Sequence, residues 1–185
     1  MGTAVVLAEG PSDAAVLQVL ARRLDLDATD VEVVPMGGVT NVLRYLREYR
    51  EHPGTTVAGL CDRAEVRFVA GALRRLGHPV EARDELSAYG FFVCDDDLED
   101  ELIRALGTTA VVDVIEREGE LGQLRTFQNQ PYQRTRSLHE QLHCFAGTRS
   151  GRKVRLAAAL AEEIGVDHVP APLLDVLTFA AARRS

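Results

Sequence analysis

The chain has a single lysine, Lys153, and no surplus of positive charge: 21 Lys and Arg stand against 28 Asp and Glu, for a formal net charge of −7. A protein that grips nucleic acid through phosphates alone shows a basic surplus. Any nucleic-acid role here therefore needs bound cations, or a partner, to offset the acids locally. Cysteine is also scarce. Cys61, Cys94 and Cys144 form no CxxC pair, and an odd, scattered set fits reduced thiols in a cytoplasm. No apolar run approaches the roughly 18 residues of a membrane helix. The opening, MGTAVVLAEGPSD, has no basic n-region and meets an acid at Glu9, which argues against a secretory leader. A cytoplasmic location without membrane contact is the expectation. There is no low-complexity tract and no internal repeat. No GxxxxGK[ST] loop is present, so ATP dependence would have to come from elsewhere.

What is there reads as an ordinary globular chain: 185 residues, 46% hydrophobic and 26% charged, enough for one domain or a core with an addition. Thr3 to Ala8 is a β-branched, apolar run without alternation, the pattern of a strand buried on both faces. Val31 to Val34, Thr55 to Cys61 and Gly90 to Cys94 read as three further strands. Between them, Ser12 is a plausible N-cap for a helix carrying Val16, Val19, Leu20 and Leu24. Helices are also predicted over Val42 to Tyr49, Val66 to Leu76 and Leu98 to Leu106. Strands alternating with helices predict an α/β fold, a mostly parallel four-stranded sheet with helices on both faces. After Gly107 the pattern turns helical, at Ala110 to Glu116, Val154 to Ile164 and Leu173 to Ala182, with a polar stretch around Gln123 to Ser137. The expected division is an α/β core over 1–107 and a helical extension over 108–185 that carries Lys153.

In open parallel sheets, ligands sit beyond the carboxyl ends of the strands. Three of the predicted strands run into acids, at Glu9, Asp62 and Asp95 to Asp97. The fold therefore brings carboxylates that are far apart in sequence to one edge. Such an oxygen-rich site suits Mg²⁺ or Mn²⁺. Glu9 and Asp13 are placed to reach one ion, and Asp97 and Glu101 share a helix face. The bland alternative is that acids gather at helix N-termini because the helix dipole favours them there. That alternative weighs more for Asp95 to Asp100 than for Glu9, since Glu directly after a buried strand is a poor cap.

The segment VVLAEGPSDAAVL resembles the first motif of TOPRIM domains: a strand delivering Glu, then Gly, then a helix-borne Asp. FFVCDDDLEDELIRALG resembles the acidic helix start of the OLD-family (overcoming lysogenization defect) endonucleases, and TRSGRKVRLAAALAEEIG their lysine-bearing segment. The resemblance implies a Rossmann-like TOPRIM core that binds one or two divalent metals and cuts DNA. It maps Glu9, Asp13 and Asp62 to one metal, Asp97 with Glu99 or Glu101 to a second, and Lys153 to a catalytic lysine, with Glu9 as ligand or general acid/base. Two departures stand out. The second motif of the domain is Asp-x-Asp, whereas this chain reads Asp62-Arg63-Ala64, with Glu65 next door as a substitute. Relatives also carry an ATPase domain ahead of the TOPRIM domain, so a separate ATPase partner is implied.

A lone lysine among arginines marks a position that needs a compact ammonium, although drift would leave the same trace. Arg149, Arg152 and Arg155 surround it as an expected basic patch for a nucleic-acid backbone. His139-Glu140-Gln141-Leu142-His143 matches HExxH, the helix motif of zinc hydrolases. No third ligand is indicated, and the motif lies in a polar stretch without a clear amphipathic helix. Gly37-Gly38 reads either as a phosphate loop or as a tight turn. Cys61 and Cys94 read as small core residues, and the run Glu116 to Glu120 as solvated surface. The leading expectation is a Mg²⁺- or Mn²⁺-dependent endonuclease. The alternatives are a non-catalytic TOPRIM module that binds metal, nucleic acid or a partner, and a zinc hydrolase built on the histidine pair.

Overall fold

The computed structural model describes residues 4–26, 31–52, 54–148 and 150–182. Four strands, β1 (Ala4–Ala8), β2 (Val31–Pro35), β3 (Thr56–Asp62) and β4 (Phe91–Cys94), form one sheet in the order β2-β1-β3-β4. All three pairings are parallel, with Val6 opposite Val33 and Ala58, and Leu60 opposite Phe92. The central strand β1 is wholly buried, as its uninterrupted apolar run predicts.

Helices cover both faces. α1 (Pro11–Arg23), α8 (Ser150–Glu163) and α9 (Ala171–Ala182) contribute to the cluster that buries Ala4, Val6 and Ala8. α2 (Val42–Arg50) and α3 (Val66–Arg75) bury Val5 and Leu7 on the other face. Alternation of Cβ direction along β1 sorts its residues between these two layers. α4 (Leu98–Leu106), α5 (Thr108–Arg117), α6 (Leu121–Gln128) and α7 (Leu138–Ala146) complete the helical part. The apolar cluster crosses residue 107 without a break. α8 lies along α1, and α9 lies against β3, β4 and β1.

Several local features differ from their sequence reading. The N-cap of α1 is Gly10, not Ser12, and Pro11 occupies the first helical position, where its missing N–H is no loss. The polar stretch contains α6, and HExxH lies squarely on α7. Ser137 caps α7, and Glu140 accepts the Ser137 N–H at 2.8 Å. This capping box is strong enough to start a helix whose apolar face is short. Glu120 is buried rather than solvated, and Arg152 meets it there. Among the described residues no helix is long and apolar enough to cross a membrane.

Candidate metal centre

Glu9 directly follows β1, and three devices fix it. Its carbonyl accepts the Gly38 N–H at 2.9 Å. Gly38 (φ 115°) and Gly37 (φ 72°) both sit in backbone space that L side chains disfavour, so this Gly-Gly pair serves as a tight turn against Glu9. One turn on, the Asp13 carboxylate accepts the Gly10 N–H at 2.7 Å, which holds the short link between strand and helix. Asp62 ends β3 beside β1, and a single turn of 3-10 helix, Arg63–Glu65, follows it. That turn swings Glu65 back over the sheet edge. Carboxylate oxygens of Glu9, Asp62 and Glu65 come within 4.8 Å of one another, the one such trio of His, Cys, Asp or Glu among the described residues.

Bringing acids together in a half-buried place costs free energy, and their titration reports it. Burial first, then the nearby Glu65, Asp97, Glu9 and Asp13, pushes Asp62 up to about 8. Burial and a hydrogen bond with Glu9 push Glu65 up to about 7. Burial raises Asp13, against the pull of the Gly10 N–H and Lys153. Burial and mutual repulsion thus disfavour the charged forms of all three acids.

A second group adjoins the first. Asp97 is the N-cap of α4, with one oxygen accepting the Asp100 N–H at 2.8 Å. Its other oxygen lies 2.7 Å from His143 Nε2 on α7. Burial works to raise Asp97, but the His143 and Asp100 hydrogen bonds outweigh it and the carboxyl is lowered. The same bond raises His143. Glu99 is 4% exposed, and one of its oxygens lies 3.2 Å from Lys153 Nζ on α8. Its other oxygen is buried with no partner, as is one oxygen of Glu65. Buried oxygens without a donor are uncommon and fit a centre that takes cations. Burial raises Glu99, with Lys153 opposing. Burial would lower Lys153, but Glu99, Asp13 and Asp97 keep it raised and charged.

The structure thus gathers Glu9, Asp13, Asp62, Asp97, Glu99 and Lys153 at the carboxyl edge of the sheet and adds Glu65. Glu101 is a different case. Its carboxylate accepts the Asp95 N–H at 2.9 Å and meets Arg104 at 2.8 Å, so it braces the start of α4. The basic patch is also rearranged. Arg149 lies outside the described residues. Arg152 is 5% exposed, bonds to Glu120, Thr148 and Gln123, and stacks 4.1 Å over Phe145. Arg155 pairs with Glu118 and Glu120. Arg152 is therefore an internal strut, not a surface cation.

The histidine pair also has a local use. His139 lies 2.6 Å from Asp100, and His143 2.7 Å from Asp97. Each helix presents its pair about one turn apart, so α7 and α4 dock residue for residue. Glu140 is occupied at the cap of α7, and no described third ligand closes around the two imidazoles. The spacing of HExxH carried this signal; its partners, 39 and 46 residues away, did not show. Cys61 and Cys94 are buried core residues, and burial pushes the Cys61 thiol up to about 12.

Residues 2–63 match the family model described as the TOPRIM domain of overcoming lysogenization defect protein-like proteins. That span includes Glu9, Asp13 and Asp62. The C-terminal region of the Xanthomonas campestris pv. campestris OLD protein is 26% identical, with a TM-score of 0.71 over 98% of this chain and 93% of that one. The C-terminal region of the Burkholderia pseudomallei OLD protein covers 100% of both chains at 22% identity and a TM-score of 0.68, a likeness of fold. No curated protein matches. Residues 2–63 are thus similar to an OLD-like TOPRIM domain, and over nearly its whole length the chain shares the fold of OLD C-terminal regions.

Proposed function

We propose that the chain is a divalent-metal-dependent nuclease module that hydrolyses phosphodiester bonds of DNA in the cytoplasm. The observation that carries this reading is the Glu9–Asp62–Glu65 trio, with an unpartnered buried oxygen on Glu65 and another on neighbouring Glu99. Glu9, Asp62 and Glu65 would hold one Mg²⁺ or Mn²⁺. Asp97 and Glu99, with Asp13 between the two groups, would hold a second. Such ions polarise phosphate oxygens, lower the pKa of bound water and steady the leaving oxygen. Glu65 takes the place of the second acid that the sequence lacks at Ala64, so the donor set is complete without Asp-x-Asp.

The chain's own groups do the rest. Lys153 keeps its charge beside Glu99 and supplies a fixed cation toward negative charge developing on the phosphate. Glu9 has the position to accept or return a proton at the reacting oxygen. His143 holds one oxygen of Asp97 and leaves that carboxylate aimed by two bonds. An ATPase partner, as OLD-type architecture suggests, would control access.

The test is cleavage of supercoiled plasmid in Mn²⁺, with Mn²⁺ binding followed by calorimetry. Wild type should nick the plasmid, and Glu9→Ala should lose both binding and cleavage. Metal binding without cleavage in any DNA or RNA would turn the reading toward a non-catalytic module.

A further inference from the structure

Of the expected basic patch around Lys153, Arg152 is spent on a buried pair with Glu120 and Arg155 on pairs with Glu118 and Glu120, which leaves open how an acidic chain would hold a polyanion beside an acidic centre. Most other arginines are engaged locally. Arg22 pairs with Glu162, Arg117 with Glu163, and Arg104 with Asp100 and Glu101. A different pair stands at the carboxyl edge itself. Asp62 and Cys94 are register partners on β3 and β4. The next residue on each chain segment, Arg63 and Asp95, therefore lies just beyond the proposed metal ligand. Arg63 bonds to Asp95, and Arg83 reaches the same oxygen at 3.2 Å. The three side chains are 58%, 53% and 40% exposed for Arg63, Asp95 and Arg83.

Two arginines converging on one exposed carboxylate contribute little to stability, since pairs this wet are worth about 0–1 kcal/mol. The geometry has another meaning. A guanidinium fork that fits a carboxylate also fits a phosphate, so Asp95 stands where a phosphate oxygen would be accepted. Its backbone does not drift, because its N–H is held by buried Glu101. Arg83 also lines an open groove of about 450 Å³ along edge strand β4, with Asp84, Ser87 and Phe92.

We propose that Arg63 and Arg83 form a phosphate-docking subsite for the nucleic-acid backbone next to the metal centre, and that Asp95 occupies it until a phosphate displaces it. The proposal rests on the nuclease reading above. The exchange of one anion for another needs no net charge on the chain. It also sets a threshold, because isolated anions must compete with a tethered carboxylate, whereas a polymer that engages the metal centre does so at high effective concentration.

The experiment is fluorescence anisotropy with a short fluorescein-labelled DNA duplex in Ca²⁺, read across a salt series, with cleavage in Mn²⁺ followed in parallel. Arg63→Ala and Arg83→Ala should each weaken binding about tenfold. Each should also flatten the slope of log affinity against log salt by about 1. Asp95→Asn should tighten binding several-fold, a gain that misfolding cannot imitate. Arginine variants that bind like wild type, or an Asp95→Asn that binds more weakly, would overturn the subsite and leave the nuclease reading standing. A wild type that neither binds the duplex nor cleaves DNA would overturn both.

Discussion

Removing one negative charge from the acidic centre should make the metal-free protein more stable and less able to bind metal. Asp62 is the place to test this, since burial and four neighbouring acids hold it at about 8 against an ordinary 3.8. A folded state that favours the protonated carboxyl binds more protons than the unfolded chain between those values. Stability of the metal-free protein therefore falls as pH rises from about 4 to about 8, then levels. Converted at about 1.4 kcal/mol per pH unit, the displacement sets a ceiling of roughly 6 kcal/mol. Asp62 is only half-buried, and water and salt screen much of that, so we expect about 1–2 kcal/mol. Asp62→Asn should recover this amount, about 3–6 °C in Tm for a domain of this size. The assay is thermal unfolding of both proteins in EDTA from pH 4.5 to 9. His143 is also raised, and its contribution, present below its unfolded pKa, is lost over the same rising limb. The difference between the two proteins removes the His143 contribution and reports Asp62 together with the repulsion it shares with Glu65. It should be near zero at pH 4.5 and reach its plateau near pH 8. Saturating Mg²⁺ should reverse the order, because only wild type gains from binding. A metal-free Asp62→Asn that melts at or below wild type at pH 8 would refute the idea that these acids are held together against their own repulsion.

Lys153→Arg should keep metal binding and lower plasmid cleavage on the order of 10²-fold, because a planar guanidinium misplaces the charge by about an ångström; full activity in both Lys153→Arg and Lys153→Ala would mark the lysine as drift. Glu65→Gln should weaken Mn²⁺ binding in calorimetry while Glu101→Gln leaves it unchanged and lowers Tm, since Glu101 is committed to Asp95 and Arg104. Arg152→Ala should cost about 1–3 kcal/mol by chemical denaturation, because one oxygen of buried Glu120, together with Thr148 and Gln123, loses its partner while Arg155 keeps the other oxygen, and should leave the salt slope of DNA binding unchanged. His139→Ala should leave the metal content of the purified protein the same, with zinc below stoichiometric amounts by elemental analysis; one tight zinc lost in that variant would restore the hydrolase reading of the histidine pair.

The α/β class, its four strands and the edge to which Glu9, Asp62 and Asp97 come were legible in the chain alone. Unbroken β-branched runs name their own burial, and a parallel sheet leaves all strand ends on one side, so the order of elements already implies the convergence. The histidine spacing likewise announced a shared helix face. Tertiary structure decided the rest. Glu99 and Glu101 lie two apart on α4 and so point to different sides of the helix; only the docking of α8 tells which one meets Lys153. Glu65 joins Glu9 because a single 3-10 turn reverses direction after Asp62. Arg152 looks like a surface cation until α6 and α7 pack around it and supply Glu120, Gln123 and Phe145. Asp95 looks like one more acid at a helix start until Arg63 and Arg83 arrive from other segments. Periodicity and spacing act over a few residues and can be read locally. The partner of a charge is chosen across the fold, twelve residues away for Arg83 and thirty-two for Arg63, by which segment packs where, and the one-dimensional pattern carries no record of that choice.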